Sequence, residues 1–192
     1  MDKIQEVITI LNQGGIVIFP TDTAFGIGCR VDKEDSVKRL FDIRKRPASQ
    51  AVPVLVNSFS MAEKYWQTPL PDIVRHLAEK YWPGGLTIIY KCIEEEISPL
   101  VRGNGKTIGF RVPDHEIPLT LIDKLQIPLL GPSANFHGEK TPFSIQDLDS
   151  ALIRQVDFIL DGECKAKLAS TVIDCTQTPF KILRQGTVVI KL

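Results

Sequence analysis

Apolar residues recur every three or four positions at the start of the chain, at Ile4, Val7, Ile8 and Leu11, before Gly14-Gly15. That spacing predicts an amphipathic helix within "MDKIQEVITILNQGG". A continuous apolar run, Ile16-Val17-Ile18-Phe19, has the length of a buried strand. The helical period returns in "EDSVKRLFDIRKR" (34–46), with Val37, Leu40, Phe41 and Arg44 on one face and a stop at Pro47. "VPVLV" (52–56) is a short strand, and "PDIVRHLAEKYW" (71–82) a helix ended by Pro83-Gly84-Gly85. Strands are predicted at "LTIIY" (86–90) and "TIGFR" (107–111), a helix at "EIPLTLIDKL" (116–125), and a strand opening into a loop at "IPLLGPSAN" (127–135). One modest helix, "SIQDLDSALI" (144–153), precedes four short strands, "VDFIL", "STVID", "KILR" and "TVVI".

Helices and strands interleave in the first half, and the tail is rich in strands. The first pattern predicts helices packed on a sheet, and the second adds antiparallel hairpins to it. The expected fold class is α+β, a twisted, mixed and largely antiparallel sheet with helices outside. No repeat, low-complexity tract or linker divides the chain, so residues 1–192 read as a single domain.

Composition narrows the functional classes. The 192 residues carry 23 basic and 23 acidic side chains, a net charge of zero. Strong nonspecific binding to nucleic acid has no electrostatic basis in that balance, although a local basic patch stays open. No apolar run reaches the length of a membrane-spanning helix. Cys29, Cys92, Cys164 and Cys175 show no CxxC spacing and read as reduced thiols of a cytoplasmic protein. His76, His115 and His137 form no metal-binding pair, and no protein-held metal site is expected.

The chemistry gathers where strands empty into polar loops. "PTDTAFG" follows the first strand and brackets an acid with two threonines; "RKRPASQ", "GPSANFHGEKTP" and "ILRQG" add further hydroxyls, arginines and glycines. Each loop alone has a plain structural reading. Thr21 and Thr23 suit side-chain-capped turns, Arg44-Lys45-Arg46 suits a solvated helix end, and Ser133, Asn135 and Ser170-Thr171 suit loop backbone or strand. Together, Arg46, Arg111 and Arg184 with hydroxyls at Thr23, Thr107, Ser133 and Ser170 suit an anion, because guanidinium forks match phosphate and carboxylate. There is no GxxxxGK[ST] and no GxGxxG. Residue types and spacing therefore end at an anionic small molecule, with a nucleotide among the candidates.

Seven segments, "PTDTAFGIG", "RKRP", "YWPGGLT", "TIGFRVP", "PSANFHG", "STVID" and "ILRQG", occur in the order found in YrdC-type threonylcarbamoyl-AMP synthases. The chain resembles that family from about Gly15 to Gly186. The resemblance implies a YrdC-like fold around a concave, positively charged cavity. It also implies synthesis of threonylcarbamoyl-AMP and pyrophosphate from L-threonine, bicarbonate and ATP, with Mg²⁺ accompanying the nucleotide. Transferase partners would then carry the group to tRNA, and a contact with tRNA or double-stranded RNA belongs to the same implication. Carried over by motif, Thr23, Arg111 and Ser170 would bind threonine. Arg46, Gln50, Thr107, Ser133, Ala134, Asn135, Thr141 and Arg184 would bind ATP. Arg44 and Arg46 would stabilise charge, with no covalent nucleophile, and Asp22 would anchor its loop.

The chain departs from the family pattern at four places. Arg44 stands where the family commonly has lysine, and Ala51-Val52 replace a frequent Pro-Leu. A histidine of the threonine subsite is absent, with Leu55 or Val56 in its place, which bears on amino-acid affinity and selectivity. Gly85 occupies a position usually held by Pro or Ala. Because the chain ends soon after "ILRQG", the short, single-domain form is expected. The alternative is a non-catalytic, YciO-like paralogue that binds RNA or nucleotide.

Overall fold

The computed structural model describes residues 3–191, so Met1 and Asp2 of the expected first helix lie outside the described residues. Helix α1 (Lys3–Asn12) buries Val7, Ile8 and Leu11, the face that the apolar spacing marks. Strand β1 (Val17–Pro20) is buried at every position. It pairs antiparallel with β2 (Phe25–Gly28), which falls inside the segment expected to be only a loop. Its other neighbour is β7 (Phe158–Ile159), in parallel, and these three strands form a sheet of their own.

The second sheet has six strands. In spatial order they are β6 (Leu129–Leu130), β3 (Val54–Leu55), β5 (Thr107–Arg111), β4 (Leu86–Lys91), β8 (Thr171–Asp174) and β9 (Lys181–Arg184). Parallel pairs β3/β5 and β4/β8 alternate with antiparallel pairs β6/β3, β5/β4 and β8/β9. The mixed α/β character is as expected, but the strands divide between two sheets. Periodicity identifies strands; only the meeting of their buried faces decides partners.

Helix α2 (Glu34–Arg44) stops two residues earlier than its pattern suggests. Lys45 adopts a left-handed conformation (φ 52°), and the N–H groups of Lys45 and Arg46 return to the carbonyls of Asp42 and Phe41 at 3.0 and 2.9 Å. This closing turn satisfies carbonyls that would otherwise lack donors. It leaves Lys45 exposed, while Arg44 is buried and Arg46 half-buried.

Helix α3 (Phe59–Glu63) was not foreseen; Ser58 caps it by accepting from Met61 N–H at 3.2 Å. Helix α4 (Asp72–Tyr81) buries Val74, Leu77 and Ala78. Helix α5 (Glu116–Leu125) tolerates Pro118 because first-turn N–H groups have no intrahelical partner.

Two expectations fail locally. "SIQDLDSALI" breaks into a short 3₁₀ turn and helix α6 (Ser150–Ile153). Asp147 accepts from the N–H groups of Phe143 and Ser144, while Asp149 accepts from those of Ala151 and Leu152. Two separate caps thus replace one helix start. "TVVI" forms no strand. The buried Thr171 hydroxyl accepts from Gly186 N–H and Val188 N–H and donates to Val188 C=O, so a side chain holds this segment in place of a ladder. The aromatic centre of the core is fully buried Trp66, stacked on Trp82 at 6.2 Å and edge-on to Phe110 at 5.4 Å.

Candidate active site

The turn between β1 and β2 separates the two bracketing threonines into different tasks. Thr21 Oγ1 donates to Ala24 C=O at 2.7 Å and accepts from the N–H groups of Thr23 and Ala24 at 3.2 Å each. It holds the turn, as its plain reading predicts. Thr23 instead meets Arg111, whose Nη1 donates to Thr23 Oγ1 at 2.7 Å. Arg111 also donates through Nε to Gly84 C=O at 2.9 Å and through Nη2 to the Asp22 carboxylate. These bonds use three of its five N–H groups, leaving two. Asp22 anchors the arginine, and both side chains are buried.

Around this pair lies a cavity on whose wall stand Thr23, Arg44, Arg46, Arg111, Ser133, Thr141, Ser170 and Arg184. These are eight of the expected site residues. The other four lie behind it or away from it. Asn135 is buried; its Oδ1 accepts from Ser133 Oγ at 2.6 Å and Arg44 Nη2 at 3.2 Å, and its carbonyl accepts from Arg44 Nε at 3.0 Å. Ala134 donates its N–H to Phe25 C=O at 2.8 Å, tying "PSAN" to β2. Gln50 is exposed, and its carbonyl accepts from Arg46 Nε at 3.0 Å. Thr107 begins β5 opposite Lys91, at the far end of the strand from Arg111. The same residue types thus divide into wall and support.

Arg44 is the unusual member. Its Nη1 is buried and has no hydrogen-bond partner. Burial, followed by repulsion from Arg46, pushes the Arg44 pKa down to about 10. Arg46 and Arg184 are pushed down by burial as well, and burial lowers Arg111 against the opposing pull of Asp22. Desolvation acts on the charged form. An anion in the cavity would relieve the cost, and a cation would raise it.

A second, largely apolar cavity adjoins the first and shares Arg46, Pro53, Thr87 and Arg184 with it. Ile89, Gly109 and Val172 line its sheet side. Sequence reasoning assigned Thr87 no role, although the segment "YWPGGLT" ends on it. Among the described residues, no three His, Cys, Asp or Glu side chains cluster as a metal site, and no helix is long and apolar enough to cross a membrane.

The model of the Sua5/YciO/YrdC family, described as "Telomere recombination", matches residues 9–186. The chain belongs to this family. Threonylcarbamoyl-AMP synthases of Pyrococcus abyssi and Bacillus subtilis are 34% and 30% identical to it, each over 96% of this chain. The chain spans 54% and 53% of those relatives, about half their length. The crystal structure of P. abyssi Sua5 complexed with L-threonine matches with a TM-score of 0.91. That match covers 96% of this chain and 54% of the other. The structure of Escherichia coli YciO, 27% identical, matches with a TM-score of 0.88 over 98% of this chain and 91% of its own.

Two of the positions singled out in the sequence have definite packing roles. Leu55, and not Val56, faces the cavity beside Arg111, its neighbour in the β3/β5 register. Gly131 makes room for it: a Cβ there would come within 2.4 Å of Leu55 Cγ. A Cβ on Gly85 would meet Thr187 Oγ1 at 2.0 Å, so glycine at 85 and threonine at 187 fit as a pair.

Proposed function

We propose that the chain makes threonylcarbamoyl-AMP and pyrophosphate from L-threonine, bicarbonate and ATP. The observation that carries this reading is the buried Arg44 Nη1, unpartnered on a wall that holds three more guanidinium groups. Such a wall suits a ligand bearing several negative charges, and the adjoining apolar cavity suits a purine ring. The names of the synthase relatives and the threonine complex of P. abyssi Sua5 support the choice of substrates.

In this reading the two free N–H groups of Arg111 take the threonine carboxylate, and Arg44, Arg46 and Arg184 take phosphate oxygens. The threonine amine and bicarbonate condense to a carbamate with loss of water. A carbamate oxygen then attacks the α-phosphorus in line, and pyrophosphate leaves. The protein aligns the reactants and neutralises charge, so it needs no covalent nucleophile. Magnesium would arrive with the triphosphate, because Asp22, the buried acid nearest Arg111, is already paired. Cytoplasmic placement, transfer to tRNA by partner enzymes and contact with tRNA or double-stranded RNA belong to the same proposal.

The test is pyrophosphate release from ATP by the purified chain with Mg²⁺, across a panel of amino acids. Release that requires both threonine and bicarbonate is expected. Nucleotide binding without release for any amino acid would refute the synthase and favour a binding-only protein.

A further inference from the structure

Thr87 and Ser170 stand where the two cavities join. Thr87 lines both, and Ser170 lines the first. Both are buried, at 3% and 7% exposure, and their hydroxyl oxygens are 3.0 Å apart. Arg184 grips Ser170 twice: Nη2 donates to its Oγ at 2.9 Å and Nε to its carbonyl at 2.9 Å.

Counting hydrogens across this cluster gives an uneven result. A guanidinium only donates, so Ser170 Oγ accepts from Arg184. The two hydroxyls carry two hydrogens, and their mutual hydrogen bond uses one. If Thr87 donates to Ser170, the Ser170 hydrogen is left over; if Ser170 donates, the Thr87 hydrogen is left over. Neither hydroxyl makes any other hydrogen bond among the described residues. Buried hydroxyl donors without acceptors are costly. Both side chains stand on the wall of a cavity lined by guanidinium groups, where an anion's oxygen can accept that hydrogen.

We propose that Thr87 and Ser170 act as one unit that presents a single O–H to the bound ligand. Resting on the function proposed above, the acceptor is the α-phosphate side of the nucleotide. An amino acid on Arg111 and a base in the apolar cavity place that group at the junction where the pair sits. Thr87 is then a positioning residue that directs the pair's free hydrogen, and Ser170 has a second task in orienting Arg184.

The test measures AMP affinity by calorimetry for the unmodified chain, Thr87→Val, Thr87→Ser, Ser170→Ala and the Thr87→Val/Ser170→Ala double variant. Losing the pair's last O–H predicts about tenfold weaker binding for the Thr87→Val/Ser170→Ala double variant. Thr87→Ser keeps both hydroxyls and binds like the unmodified chain. Thr87→Val and Ser170→Ala each leave one hydroxyl hydrogen free for the ligand, so their separate losses sum to less than the loss in the double variant, since coupled groups are not additive. A purely structural role for Thr87 would lower the melting temperature without this pattern. Unchanged affinity in the double variant, or single losses that add up to its loss, overturns the proposal. Should Thr87→Val fail to fold, Thr87→Ala supplies the same comparison. A chain that binds AMP with the predicted pattern but releases no pyrophosphate sinks the synthase reading and upholds the hydroxyl pair. A chain that binds no AMP overturns both.

Discussion

Two buried nitrogens lack hydrogen-bond partners among the described residues, Trp66 Nε1 and Arg44 Nη1, and they lie in opposite kinds of surroundings. Trp66 is packed by Trp82, Phe110 and Phe59 in the aromatic core. Arg44 stands on the wall of a cavity with other guanidinium groups. The first side chain is enclosed by other aromatic rings. The second belongs to the wall of a space that a ligand can fill. An unsatisfied buried donor therefore has no single meaning: in the core it is a cost accepted for packing, and at a cavity it marks where binding energy is available.

That contrast can be broken most strongly at the ion pair beneath the cavity. Asp22→Asn leaves Arg111 as an unpaired buried cation and should destabilise the chain by about 3–5 kcal/mol, measured by urea denaturation. A loss under about 1 kcal/mol would mean that the pair is far better solvated than its burial implies. Next in size, Arg44→Met should weaken nucleotide binding by roughly 10- to 100-fold through loss of a charge-assisted contact. The same change should move the melting temperature little, because removing a desolvated charge offsets the loss of two hydrogen bonds to Asn135. Weakened binding together with a large stability loss would make Arg44 structural, like Trp66.

The core should behave in the reverse way. Trp66→Phe is expected to cost about 1–3 kcal/mol of stability, with nucleotide affinity unchanged. Altered affinity would show that core and cavity are coupled.

The pH dependence is smaller and one-sided. The native Arg44 pKa, about 10, lies well below the ordinary value of an arginine. Between those values the unfolded state binds more protons, so this group makes stability rise with pH there. The burial cost is fully present at neutral pH and is relieved above about 10. Anion affinity should stay level from pH 7 to 9 and then fall as Arg44 loses its charge, in a titration of binding against pH. Smallest of all is the response of the thiols. Burial pushes Cys29 and Cys175 up to about 12, so iodoacetamide at pH 8 should leave both unmodified in the folded chain. Rapid labelling of either would place it outside the packed interior.

The apolar period and the motifs were sufficient to mark most elements and most of the hydroxyl and guanidinium groups on the cavity wall. Helices α1, α2, α4 and α5 follow from spacing, because a buried face repeats with the turn of the helix. Thr23, Arg111, Ser170 and Arg184 were identifiable because hydroxyls and guanidinium groups cluster in loops that resemble one family. The division of labour among them was not identifiable. Thr21 and Thr23 are two residues apart and look alike, yet one holds a turn and the other meets Arg111, a partner 88 residues away. Thr87 ends the segment "YWPGGLT" but had no role assigned to it, since only the parallel pairing of β4 with β8 brings it to Ser170.

By itself, then, the sequence determined the family, the main helices and strands, and the hydroxyl and guanidinium groups that gather in its loops. Those are properties of local periodicity and of residue chemistry. Tertiary structure alone decided that the strands split between two sheets, that "TVVI" is held by a threonine hydroxyl, and that Asn135 supports the wall while Arg44 faces the cavity. It also decided which buried donor is left without a partner. The reason is physical: a side chain carries its hydrogen-bonding capacity in its formula, but whether that capacity is already satisfied depends on neighbours that only the folded chain supplies.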